Sequence, residues 1–456
     1  MRSEFQKHSA LKLADRIILH KHGYNTPPIG VEIGSRACPV VYTRDKLISK
    51  KLKRRILFMD FSLNESQLSY LDTVRKFVKN EITPRILEME KEHVFPWDII
   101  NKAWKTGLIN LSIPESVKGY EIDAFTSALI IEELSYGDTG ISTSAMCNDL
   151  ANVVIGLHGT DEQKNLFLKP FAEKPILASF CLTEPNAGSD NSMMTTFISK
   201  RDDGNYVLNG SKCFITNASY ASQFTVFCKT GKPTGNFIAC VIVPVEHVTS
   251  DSPDIGNATK EINLPADGKI IIGKPEDKLG QRLSNTASVT FEDVIIHPNQ
   301  VIGDRRLGFK YAIDVLDYAR PMVAAIGLGL AKRAFAVTLE YTRERKQFGS
   351  RICDLPVARE MLTTMWKKVE LAEMALFKAI FKIQEKAKDA GIYASLAKNT
   401  AAEAAVFCST EGLHLHGGYG FTTEYEISKL ARDAHIIDIY EGVREVQNMI
   451  IGREIV

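Results

Sequence analysis

The feature that most constrains this chain is a hydrophobic period that changes twice. Over 64–173 apolar residues recur at three- and four-residue spacing, as in Leu68, Leu71, Val74, Phe77 and Val78. Over 178–298 the pattern is that of short strands, with candidates at 224–228, 237–243 and 289–295. Helical spacing then returns in long stretches at 308–343, 356–389, 393–414 and 422–435, with a last helix from Val443. Helices, then strands, then helices give segregated layers rather than alternating βα units. The expected class is α+β: an N-terminal helical domain at 59–177, a middle β-domain at 178–298 and a C-terminal four-helix bundle with a terminal helix at 299–456. Pro84, Pro96, Pro114 and Gly137 divide the first block into several helices. Within the β block, Asn209-Gly210 between two apolar runs predicts a hairpin on a type I′ turn. The Ser-, Asp-, Pro- and Gly-rich stretch at 248–267 reads as a loop inserted between strands.

Charge separates the ends of the chain. Lys+Arg 56 against Asp+Glu 55 gives a net charge of +1, and 45% of residues are hydrophobic, which excludes a disordered, collagen-like or strongly nucleic-acid-steered protein. Residues 1–58 hold 13 Lys/Arg against 4 Asp/Glu, leaving the rest mildly acidic. That first segment reads either as a mitochondrial transit peptide, which would send the protein to the matrix, or as an extension peculiar to this chain; Glu4, Asp15, Glu32 and Asp45 fit the second reading better. No run approaches the ~20 apolar residues of a membrane span, and a soluble protein is expected. Eight cysteines, none in metal-ligand spacing, predict no metal site and a reducing compartment.

Four stretches carry more glycine and polar punctuation than regular structure requires. Residues 182–190 offer hydroxyls and backbone N–H groups in an irregular turn, suited to a flat heteroaromatic ring or a phosphate, or to simple capping. Residues 343–349 form a basic helix end closed by glycine, which is either a solvated C-cap or a pyrophosphate site. Around His414 and His416, three glycines in four positions let a backbone approach a ligand; the two histidines, at i and i+2, do not face one way on a helix. Glu441, in Ile439-Tyr440-Glu441-Gly442 just before the terminal helix, reads at its simplest as an N-terminal cap favoured by the dipole.

Together these stretches resemble the acyl-CoA dehydrogenase family, nearest its straight-chain, medium-chain-like members, from about residue 60 to 456. The resemblance is carried by CLTEPNAGSD at 181–190, KCFITN at 212–217, LGQRLSNTASVTFEDV at 279–294, LDYARP at 316–321, TRERKQFG at 342–349, LHGGYGFTTEY at 415–425 and IYEGVREVQNMIIGRE at 439–454. It implies an FAD enzyme that desaturates acyl-CoA thioesters, with Glu441 as catalytic base. Phe180, Leu182, Thr183, Phe214, Ile215 and Thr216 would line the flavin ring, and Ser189 would contact flavin or pantetheine. Arg345, Gln347, Phe348, His414, Gly417 and Gly418 would reach the FAD of a neighbouring subunit, with Val443 and Glu445 also at the cofactor. Asp317, Arg320, Tyr440 and Gly442 would face the substrate. Phe214 stands where the family usually has Trp, His414 where it often has Gln, and Val443 where it has Thr. The implied partners are an acyl-CoA, electron transfer flavoprotein and further copies of the chain, with a homotetramer expected. The same chemistry would also serve an acyl-CoA oxidase, against which the absence of an added C-terminal domain counts, and the same fold a non-catalytic assembly factor. The implied acyl pocket, 139–147, contains no Arg or Lys, so monocarboxylic acyl-CoAs are expected; Ser142 and Ala145 leave room for a chain of medium length.

Overall fold

The computed structural model describes residues 62–246, 258–265 and 268–456; the basic extension and most of the 248–267 insertion lie outside the described residues. Helix α1 (Glu65–Phe77) begins at a capping box: Asn64 Oδ1 accepts from the Gln67 N–H at 2.9 Å, and Gln67 Oε1 accepts from the Asn64 N–H at 3.0 Å. It is followed by α2 (Ile86–Glu92), α3 (Trp97–Lys105), α4 (Ala124–Gly137), α5 (Thr139–His158), α6 (Asp161–Phe167) and α7 (Lys169–Glu173). Helix α5 is buried all round from Thr139 to Ile155. Its polar side chains are therefore paired: Asp149 accepts from the N–H groups of Leu111 and Ser112, and Asn148 Oδ1 takes the Ala178 N–H at 2.8 Å. Asn148 thus fixes where the first strand begins.

The middle block holds β1 (Leu177–Cys181), β2 (Phe197–Lys200), β3 (Tyr206–Thr216), β4 (Ala221–Thr230), β5 (Ile238–Pro244), β6 (Lys260–Asn263), β7 (Lys269–Ile272) and β8 (Thr286–Ile296). They form one sheet in the order β1-β4-β2-β3-β8-β7-β6, with β5 on β4. The hairpin expected at Asn209-Gly210 is absent: both residues lie inside β3, where the pairing with β8 slips between Leu208 and Gly210. Gly210 is a bulge residue at φ +138°, and a Cβ there would fall 2.5 Å from the Thr196 backbone. The actual turn joins β2 to β3 at 201–205. The chain also leaves the sheet later than 298, since Val301 still pairs with Val241 and the Ile302 N–H reaches the Cys240 carbonyl.

Helices α8 (Gly308–Glu344), α9 (Pro356–Gln384), α10 (Ala390–His416), α11 (Glu426–Ile437) and α12 (Arg444–Ile455) complete the chain, with a short hairpin, β9 (Lys346–Gln347) and β10 (Ser350–Arg351), between α8 and α9. By length and composition α8 could cross a membrane, contrary to the sequence expectation, but it packs against α4, α5, α9 and α10 as the central helix of the bundle. The two helical blocks share one apolar core, and the sheet has a second of its own. Where the three blocks meet, the buried Lys429 ammonium lies 2.5 Å from both Asp138 and Asp433. Asp433 also accepts from the Gln281 N–H and the Thr139 hydroxyl, so one charge cluster joins α4–α5, the sheet end and α11.

Candidate active site

Between α11 and α12 the chain turns back at 438–443. The Arg444 N–H reaches the Asp438 carbonyl at 3.2 Å, and the Arg444 guanidinium grips the Asp438 carboxylate at 2.7 and 2.9 Å. Inside this turn Glu441 (φ +53°) and Gly442 (φ +96°) are both left-handed. A Cβ on residue 442 would meet Gln447 Nε2 at 2.3 Å, so glycine is required there. A glutamate at positive φ is strained by on the order of 1–3 kcal/mol and persists only when its surroundings hold it. They do: Gln447 Nε2 donates to the carbonyls of Glu441 and Gly442, each at 3.1 Å, and Lys398 Nζ donates to the Gly442 carbonyl at 2.8 Å.

The Glu441 carboxyl is left without such support. Its Oε2 is buried and has no hydrogen-bond partner among the described residues. Burial pushes its pKa up to about 7, against the pull of Arg320 and Lys398. Its own N–H likewise meets no acceptor among the described residues. The capping alternative fails, because α12 has Val443 as its N-cap and no side-chain cap bond.

Around this carboxyl stand several of the expected residues. Arg320, buried on α8, donates from Nη1 to Asp317 Oδ1 at 2.7 Å and faces Glu441. Tyr440 places its hydroxyl 3.5 Å from both Thr143 Oγ1 and Gln281 Nε2. Cys147 of α5 donates to the carbonyls of Ala178 at 3.6 Å and Thr216 at 3.8 Å. Burial raises its thiol pKa to about 12, with the Phe180 N–H and Glu441 as its other neighbours. Cys147 thus neighbours both strands and lies within electrostatic reach of Glu441.

The loop after β1 is shaped by a pair the sequence reading missed. Glu184 accepts from the Thr195 N–H, the Thr195 hydroxyl, the Thr196 N–H and Lys212 Nζ, the last at 2.8 Å. Lys212 also donates to the Leu182 carbonyl at 3.0 Å, and both charged side chains are buried. The Cys213 N–H reaches the Thr183 carbonyl, which lays 182–183 beside 213–216. Phe214 (φ +57°) is turned out of the strand and is 67% exposed, presenting a flat ring at the surface. The Ile215 side chain lies in the sheet core. Phe180 and Leu182 are nearly buried, Thr183 is half-buried, and Ser189 is exposed on the loop.

The second and third stretches meet in a separate cleft of about 660 Å³, which Arg345, Gln347, Phe348, His414, Gly417 and Gly418 help to line. The expectation of a glycine-closed helix end at 343–349 is corrected. Helix α8 ends at Glu344, and Phe348-Gly349, at φ +52° and +76°, is the tip of the β9–β10 hairpin. Phe348 is 93% exposed. The Arg345 guanidinium lies 5.5 Å over the Tyr419 ring, and nothing stands within 4 Å of where a Cβ would be on Gly417 or Gly418. His414 is exposed, whereas His416 turns inward, donates from Nδ1 to the Gly412 carbonyl at 2.7 Å and stacks on Tyr341. This cleft shares no lining residue with the group around Glu441. Val443 is half-buried and Glu445 exposed at the start of α12.

A carboxyl with a buried, unpaired Oε2 beside an unpaired N–H, with a separate cationic, glycine-floored cleft, suits a proton-abstracting enzyme that binds a long ligand carrying phosphates and flat rings. The chain matches three family models in order: the acyl-CoA dehydrogenase N-terminal domain over residues 64–175, the middle domain over 179–294 and the C-terminal domain over 306–456. It is 33% identical over 423 residues to a probable medium-chain specific acyl-CoA dehydrogenase 2, mitochondrial, of Caenorhabditis briggsae, covering 92% of this chain and 96% of that one. The structure of butyryl-CoA dehydrogenase from Megasphaera elsdenii superposes with a TM-score of 0.79 at 34% identity, covering 87% of this chain and all of the other. An acyl-CoA dehydrogenase complexed with FAD from Bacillus anthracis superposes with a TM-score of 0.75 at 27% identity, covering 86% of this chain and 67% of that one. With its N-terminal helices, middle sheet and C-terminal bundle, the chain belongs to the acyl-CoA dehydrogenase family of FAD-dependent oxidoreductases.

Proposed function

We propose that this protein desaturates a fatty acyl-CoA thioester between Cα and Cβ, with Glu441 as the base. The observation that carries the reading is the half-buried Glu441 side chain, whose Oε2 is buried and unpaired and whose pKa is pushed up to about 7, beside its own unengaged N–H. The Glu441 carboxylate takes the proton from Cα. As charge moves onto the thioester oxygen, the Glu441 N–H is the donor that meets it, because a backbone donor fixed in advance needs no reorganisation. Bound FAD would supply the hydride acceptor for the Cβ hydrogen. The residues present fit this cofactor. Thr183, Phe214 and the backbone of 215–216 would hold the ring, with Phe180, Leu182 and Ser189 beside it. Arg345 and Gln347 would hold the phosphates of a neighbouring subunit's FAD, with Gly417 and Gly418 leaving room for its adenosine half. Asp317, Arg320, Tyr440 and Gly442 would line the thioester side.

The acceptor that fits this chemistry is electron transfer flavoprotein, and the assembly is a homotetramer. We infer a mitochondrial matrix location from the basic segment 1–58 together with the mitochondrial relative. Turnover of a panel of acyl-CoAs with an artificial dye acceptor, compared with oxygen uptake, tests the function. Dye reduction without matching oxygen uptake, faster on butyryl- or octanoyl-CoA than on glutaryl-CoA, is expected. Oxygen uptake at the dye rate would make the protein an oxidase, and no turnover with any acyl-CoA would make it a non-catalytic flavoprotein.

A further inference from the structure

Lys398 lies on the inner face of α10 with no exposed surface, among Ala394, Ala397, Ala401 and Ala402, which are also fully buried. An ammonium in such a stripe is costly unless its charge is used. Its Nζ makes one hydrogen bond among the described residues, to the Gly442 carbonyl. The charged groups facing it are Asp438 at the end of α11, Glu441 in the turn, Arg444 on α12 and Arg320 on α8. Asp438 is already gripped by Arg444, and Arg320 is engaged by Asp317. Of these groups, Glu441 Oε2 and Arg320 Nε are the buried atoms left without a hydrogen bond among the described residues. Tyr440 and Cys147 are the other titratable groups around Glu441, and burial raises both toward about 12, so they stay neutral.

We propose that Lys398 is the positioning residue of the base: its bond to the Gly442 carbonyl holds the left-handed Glu441–Gly442 pair, and its charge favours the carboxylate form of Glu441. The proposal rests on the reading of Glu441 as the base. The hydrogen bond sets geometry and the charge sets ionisation, so the two effects separate experimentally.

The test follows anaerobic flavin reduction by butyryl-CoA from about pH 5.5 to about pH 9 in the FAD-loaded wild type, Lys398→Gln, Lys398→Arg and Glu441→Gln. Lys398→Gln is expected to retain FAD and to leave KM within about twofold, while the reduction rate at neutral pH falls roughly 10- to 100-fold. Its acid limb should move up by about one pH unit. Lys398→Arg should keep the limb in place and recover most of the rate. A wild-type rate and limb in Lys398→Gln would overturn the proposal, as would a pH-independent loss that Arg does not restore. Should Lys398→Gln fail to load FAD, Lys398→Arg decides: an unmoved limb supports the proposal and a displaced one overturns it. Near-wild-type reduction in Glu441→Gln would instead defeat the base reading itself, whatever the Lys398 variants do.

Discussion

A glutamate whose folded pKa is about 7 ties both rate and stability to pH, in opposite directions. The base must be ionised, so reduction should speed up as pH rises through about 7. Between the ordinary value of 4.5 and about 7, the folded protein holds a proton that the unfolded chain has lost. Stability from this group therefore falls as pH rises across that window, by up to about 3 kcal/mol at 1.36 kcal/mol per unit. Glu441→Gln should accordingly melt higher than the wild type at about pH 8 and equally at about pH 4.5. Melting curves at both values check this, and a lower-melting variant at the higher pH would show that Glu441 is not strained by burial. The sequence marks Glu441 through its motif but leaves base and cap open. The choice lies in the left-handed turn and the unpaired Oε2, which depend on Gln447 and Lys398 packing from other positions. Lys398 was missed because one lysine among alanines reads as a solvated face until the helix is seen to be buried.

Helices and most strands were legible because their periods differ, yet turn chemistry misled twice. Asn209-Gly210 has the composition of a hairpin turn, but the glycine serves a bulge forced by the close approach of Thr196. At 343–349 the glycine closes a hairpin rather than a helix, because both Phe348 and Gly349 take positive φ. The Glu184–Lys212 pair was invisible because its partners lie in different elements and lysine in a strand normally reads as solvent-facing. Removing one partner of such a buried pair strands the other charge, at a cost of about 3–5 kcal/mol. Lys212→Met should therefore lose roughly that much stability and should also release FAD, since the 182–196 loop loses its clasp. Replacing both residues, Lys212→Met with Glu184→Leu, should restore much of the stability. Urea unfolding and flavin absorbance measure the two effects, and an unchanged midpoint in Lys212→Met would rule out the clasp.

At the scale of the molecule, the two helical blocks are one packing unit wrapped around α8, although the sequence presents them as separate domains divided by a sheet. Periodicity gives each helix a buried face but not its partner, so a core shared between residues far apart in sequence is not legible in advance. The Lys429 cluster then fixes the three blocks at the junction beside Tyr440 and Gln281, where the proposed chemistry takes place. The Arg345 cleft shares no lining residue with the Glu441 group, and the proposed function assigns it to the FAD of a neighbouring subunit. The purified protein should be yellow and, by light scattering, a homotetramer. Arg345→Ala should weaken FAD retention by about 1.5–3 kcal/mol, the worth of a charge-assisted bond. A colourless monomer that FAD does not restore would contradict both expectations, and unchanged retention would leave Arg345 a solvated side chain.

Replacing Glu441 by Gln keeps the side chain's shape and the backbone N–H while removing proton-accepting ability. The FAD-loaded variant, mixed anaerobically with butyryl- or octanoyl-CoA, should bind the thioester and keep its flavin colour. Loss of a general base costs roughly 10²- to 10⁴-fold in rate, so the flavin should stay oxidised on the time scale of wild-type turnover. Bleaching at close to the wild-type rate would show that another group removes the α-proton and that the buried carboxyl at 441 is not the base.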